Sequence, residues 1–168
     1  MNDATESSDN AAIRERVRQA IEMTREERYE QALEIFETQL PVLTEGDIQD
    51  RRIAASAFSY YGVCVAMVKR RYADAVNYCN VSLKANFMDA DHRANLAMIF
   101  LERNEREKAI ETLNEGLRLQ PRNRQIQKIF REIGRRRPPV IRFLPRDNPI
   151  NVWLGRRRYE REKRSGGR

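Results

Sequence analysis

Residues 90–123 read ADHRANLAMIFLERNEREKAIETLNEGLRLQPRN, and the order of small and large apolar residues in this stretch decides the fold. Leu96, Ala97 and Phe100 share one face of a first helix, and Ala109 and Leu113 share one face of a second. Gly116 and Pro121 close the stretch. Alanines at 97 and 109 let two helices cross closely, and the bulky residues beside them fill the groove. No run alternates apolar and polar residues as a half-buried strand would.

The preceding segment repeats the order as Phe58, Tyr61, Gly62 and Val65, followed by Ala75, Cys79, Ser82 and Phe87. An extra residue is expected in its inter-helix turn near Arg70. A weaker copy runs through Ala20, Met23, Ala32 and Phe36, with Arg16 and Gln19 where larger apolar residues would serve better. Its second helix is expected to end near Pro41, before an insertion around residues 44–47. The paired small residues are then Ala20/Ala32, Gly62/Ala75 and Ala97/Ala109. In this order and period the segments resemble tetratricopeptide repeats.

The resemblance implies an all-α protein, a right-handed array of about three helix pairs plus a capping helix, followed by an extended C-terminal tail. The expected repeats are 13–47, 55–89 and 90–123, with a cap over 122–134 whose Ile126, Ile129, Phe130 and Ile133 face inward. Together these form a domain over 12–134, preceded by a disordered stretch over 1–11 and followed by a basic tail over 135–168. The alternative is a generic helical bundle whose alanines happen to fall at this spacing.

An apolar fraction of 40% over 168 residues supplies one modest core, not two large ones. The net charge of +7 is not spread evenly. Residues 135–168 hold 12 Lys and Arg against 3 Asp and Glu, or +9, which leaves 20 against 22, or −2, for residues 1–134. The tail is therefore the part suited to nucleic acid, an anionic membrane surface or an acidic protein.

Cys64 and Cys79 lie inside apolar helical patterns and read as buried thiols. With His92 the only histidine, no zinc site or nucleophile and base pair assembles, so neither an enzyme nor a cofactor is expected. The opening MNDATESSDNAA has neither the basic start nor the apolar run of a signal peptide, so a cytoplasmic location is expected. The uncharged stretch 53–68 falls short of the roughly 18 to 20 residues a bilayer needs. It reads as a central buried helix rather than a membrane span.

The resemblance also implies a concave surface, lined by the first helix of each pair, that binds a protein or peptide. On this chain the lining would include Arg14, Arg18 and Ile21, then Ser59, Tyr60, Val63 and Met67, then Asn95, Met98 and Glu102. One subfamily clamps a C-terminal carboxylate with basic and amide side chains. The matching positions here hold Val17, Ile21, Tyr60, Asp91 and Asn95, so that mode is not expected.

The tail opens on Arg135, Arg136 and Arg137, and Pro138, Pro139 and Pro145 interrupt any continuous helix. It resembles the basic, proline-containing tails of bacterial tetratricopeptide proteins. Phe143 and Leu144 are apolar anchors. A short helix is expected over 149–154, with Asn148 as its cap, Pro149 in its first turn and Ile150, Trp153 and Leu154 on one face. Arg156, Arg157 and Arg158 follow. Three uses compete for this segment: packing on its own repeats, anchoring a partner protein, and binding RNA or anionic surfaces through the arginines. Self-association would run through the loosely matched first repeat or the apolar tail.

Overall fold

Three helix pairs and a final helix account for residues 3–133, which the computed structural model describes together with 148–150, 153, 154 and 157. The helices are α1 (Asp3–Arg25), α2 (Tyr29–Glu45), α3 (Ile48–Lys69), α4 (Tyr72–Ala85), α5 (Ala90–Glu102), α6 (Arg106–Leu119) and α7 (Arg124–Ile133). No strand forms among the described residues. The chain divides into two units, Met1–Glu132 and Ile133–Arg168.

Within the first unit α1 packs on α2, α3 on α4 and α5 on α6. Successive pairs meet because α3 also touches α1 and α2, and α5 touches α3 and α4. The small residues sit at these crossings: Ala20, Ala32, Ala75, Ala97 and Ala109 are fully buried. At Gly62 the backbones approach closely, since a β-carbon there would lie 2.7 Å from the Ala75 carbonyl oxygen and 3.4 Å from Cys79 Sγ. The larger neighbours Phe36, Cys79 and Leu113, each four residues beyond its alanine, are also fully buried. Stacked Phe58 and Tyr78, with ring centres 5.9 Å apart, tie α3 to α4.

All three pairs use the same turn. Glu27, Arg70 and Asn104 adopt positive φ values of 65°, 56° and 61°. In the outer two pairs the chain closes the first helix with Arg28 N–H donating to the Met23 carbonyl at 2.9 Å and Glu105 N–H donating to the Phe100 carbonyl at 2.8 Å. This satisfies carbonyls that the helix end leaves open. The next helix then starts identically: the amides of Ala32, Ala75 and Ala109 donate to the carbonyls of Arg28, Arg71 and Glu105 at 3.1, 3.0 and 3.1 Å. A non-glycine residue in the left-handed region costs roughly 1 kcal/mol or more. Its recurrence at three equivalent positions marks the turn as the unit of repetition.

Three sequence expectations need correction. The extra residue of the second pair lies in α3, not in the turn: each positive-φ residue precedes its alanine by five positions, while Gly62 precedes Arg70 by eight and Ala20 and Ala97 precede theirs by seven. Helix α2 does not end at Pro41 but runs on to Glu45. Buried Leu40 and Leu43 continue the stripe begun by Phe36, and burying a leucine contributes about 1.5–3 kcal/mol, close to the roughly 3 kcal/mol cost of an internal proline. Helix α1 begins at Asp3, inside the stretch expected to be disordered. The sequence of residues 3–12 contains no proline or glycine to break a helix.

The insertion between the first two pairs forms a cap. Asp47 Oδ1 accepts from the Asp50 amide at 2.8 Å and starts α3 at Ile48, which makes it 22 residues long. No described helix is long and apolar enough to cross a membrane, α3 included. Ala109→Leu is expected to overpack the α5/α6 crossing and cost about 1–3 kcal/mol in chemical denaturation. Unchanged stability would mean that the crossing has room to spare.

Candidate functional site

The first helices of the three pairs and α7 enclose a cleft of about 500 Å³. From α1 and its turn come Thr24, Arg25 and Glu27; from α3, Tyr60; from α5, Asp91, Asn95 and Met98. The last wall is α7 and the residue before it, with Asn123, Arg124, Gln125, Lys128, Ile129 and Glu132.

Two polar threads hold these walls. In the first, Arg25 on α1 donates to the Tyr60 hydroxyl at 2.8 Å and to Asp91 Oδ2 at 3.1 Å, and the Tyr60 hydroxyl donates to the same Asp91 oxygen at 3.2 Å. Asn123 Nδ2 reaches the other Asp91 oxygen at 2.6 Å, so one carboxylate gathers α1, α3 and the start of α7. The Arg25 guanidinium also sits 5.3 Å from the centre of the Tyr60 ring. Burial pushes the Tyr60 phenol well up, and the Asp91 charge adds to it. Burial alone would lower the Arg25 guanidinium, but Tyr60, Glu22 and Asp91 together raise it.

The second thread lies deeper. Ser59 Oγ is 2.9 Å from His92 Nδ1 and accepts from Asn95 Nδ2 at 3.1 Å, and Asn95 Oδ1 accepts from Gln125 Nε2 at 2.6 Å. His92 Nε2 and Gln125 Oε1 are buried without a hydrogen-bond partner. Burial holds the His92 imidazole below its ordinary range, with Asp89 and Asp91 pulling the other way. The cleft is closed by Lys128 Nζ, 2.9 Å from Glu27 Oε1 across 101 residues of chain, and that bond raises the lysine.

Of the residues expected along the groove, Tyr60, Asn95 and Met98 line the cleft. The others have different surroundings. Ser59 and Val63 are wholly buried, Ile21 packs half-buried against the core, and Met67 is half-buried. Arg14 pairs with Asp47 at 3.5 Å and with buried Asp50, pinning α1 to the start of α3. Arg18 pairs on the surface with Glu15 at 3.3 Å, and Glu102 with Arg70. Val63 and Met67 follow Gly62 in the part of α3 that holds the extra residue, and one added residue turns a helix by about 100°.

The α7 wall was missed. Its polar face reads as the solvated side of a cap, yet Gln125, Lys128 and Glu132 follow one another at helical spacing and all reach the cleft. Ile126 and Ile129 are buried as expected. Cys64 and Cys79 are buried and unpaired; burial pushes the Cys64 thiol up to about 11 and Cys79 higher still. No group of side chains suited to a metal ion occurs among the described residues.

Of the tail residues, Ile150 and Trp153 are exposed and Leu154 is half-buried. Phe143, Leu144, Arg135, Arg136, Arg137, Arg156 and Arg158 lie outside the described residues. No protein-family model matches the sequence, and no curated protein matches it significantly.

Proposed function

We propose that the chain is a tetratricopeptide-type array with a right-handed course, acting as an adaptor that holds a segment of a partner protein in the cleft between its first helices and α7. The observation that carries this reading is the composition of the cleft. Met98 supplies apolar surface beside the nearly buried Tyr60 ring and Ile129, and the Gln125 amide, whose Oε1 has no partner, stands next to it. An extended peptide needs both, an apolar seat for a side chain and polar groups for its backbone. The volume of about 500 Å³ suits a few side chains rather than a folded domain. The recurring turns at Glu27, Arg70 and Asn104 support the repeat assignment.

A displayed peptide library panned against the full chain is the test. Enriched peptides are expected to lose at least about tenfold in affinity for Met98→Arg, because a buried apolar contact is replaced by a charge in the binding seat. Peptides that bind Met98→Arg as tightly as the unaltered chain would place recognition elsewhere and overturn the proposal.

A further inference from the structure

The second unit carries an interaction surface of a different kind. Asn148 Oδ1 accepts from the Ile150 amide at 3.0 Å, and Pro149, Ile150, Trp153, Leu154 and Arg157 have helical backbone. Positions 150, 153, 154 and 157 follow at three, four and seven residues, which is one helix face. On that face Ile150 is 53% and Trp153 54% exposed. The Arg157 guanidinium sits 4.6 Å from the centre of the Trp153 ring. The face lies within a segment, 135–168, that carries +9, against −2 for the rest of the chain.

A face that sets an aliphatic side chain and an indole beside a guanidinium, in a stretch of sequence this basic, calls for an occupant that is apolar and anionic together. The boundary of an anionic bilayer meets both needs, with phosphates for the guanidinium groups and the acyl edge for an indole and an aliphatic side chain. RNA answers less of it. A base would find only the indole face that Arg157 leaves open, and Ile150 and Leu154 offer no flat face to a base. We propose that the face of Ile150, Trp153 and Arg157 binds the protein to anionic lipid surfaces, with Ile150 and Trp153 entering the interface and Arg157 holding a headgroup.

Trp153 is the only tryptophan in the chain, so its fluorescence reports on this segment alone. The full chain is mixed separately with phosphatidylcholine vesicles, with vesicles containing phosphatidylglycerol, and with polyuridylate. The expected result is a shift of emission to shorter wavelength, with co-flotation, for phosphatidylglycerol vesicles only. Arg157→Glu should weaken co-flotation at least about tenfold, since each basic residue near such a surface adds appreciably to binding. Trp153→Ser should abolish most of it, while Trp153→Phe retains it, with far-ultraviolet circular dichroism unchanged in all three variants. The proposal is overturned by an unshifted emission with phosphatidylglycerol vesicles or by equal binding to phosphatidylcholine. A response to polyuridylate matching that to vesicles, or undiminished flotation of Trp153→Ser, would overturn it equally.

Discussion

Phe36→Ala is expected to cost about 3–5 kcal/mol, the range for truncating a fully buried aromatic ring. Phe36 lies on α2 with no solvent exposure and meets the Tyr61 ring of α3 edge-on at 6.1 Å. It therefore joins the first pair to the second as well as filling the first. In an array whose stability is a sum of units and junctions, weakening one junction lets the outer pair open before the rest. Chemical denaturation followed by helix content should show an earlier, broader transition. Hydrogen exchange should assign the early part to α1 and α2. A single sharp transition at the unaltered midpoint would mean that the first pair is held by contacts other than this one.

Gly62→Val is expected to be comparably damaging, at about 3 kcal/mol or more, because no rotamer relieves a clash that begins at the β-carbon. The carbonyl oxygen of Ala75 would lie 2.7 Å from that atom, and it is backbone, so α3 and α4 must move apart. The milder Gly62→Ala makes the point sharper. Helix propensity alone favours alanine over glycine inside a helix by about 0.5–1 kcal/mol. The expected result is nevertheless a loss of stability, measured as a lower denaturation midpoint. A gain would show that the crossing can relax by the needed few tenths of an ångström at little cost.

The pairs were legible because burial leaves a periodic trace. Ala97 with Phe100, and Ala109 with Leu113, recur at Ala20, Gly62, Ala32 and Ala75 with their bulky partners; the small residues are buried in the structure, with Phe36, Cys79 and Leu113, while Met23, Tyr61 and Phe100 pack half-buried against the core. The extent of α2 was not legible, since Pro41 carries a strong local signal and the burial of Leu43 beyond it is a tertiary effect. The cleft was legible only in part. Tyr60, Asn95 and Met98 lie on helices whose inner faces the repeat predicts, whereas Glu27 and Lys128 meet across 101 residues. Polar side chains such as Arg25, Asp91 and Gln125 leave no periodic trace, so their convergence had to be seen in three dimensions.

Repeat proteins ordinarily lengthen by copying a unit, because each unit ends in an edge on which the next can stack. The bond between Lys128 and Glu27 gives this array a different character. Its last helix contacts the first turn and shares Asp91 with α1 through Asn123 and Arg25, so the course of the chain returns to its beginning. A fourth pair added after α6 would have to displace α7 from that contact and open the cleft. The enclosed space thus exists because α7 occupies the place where a further pair would stack.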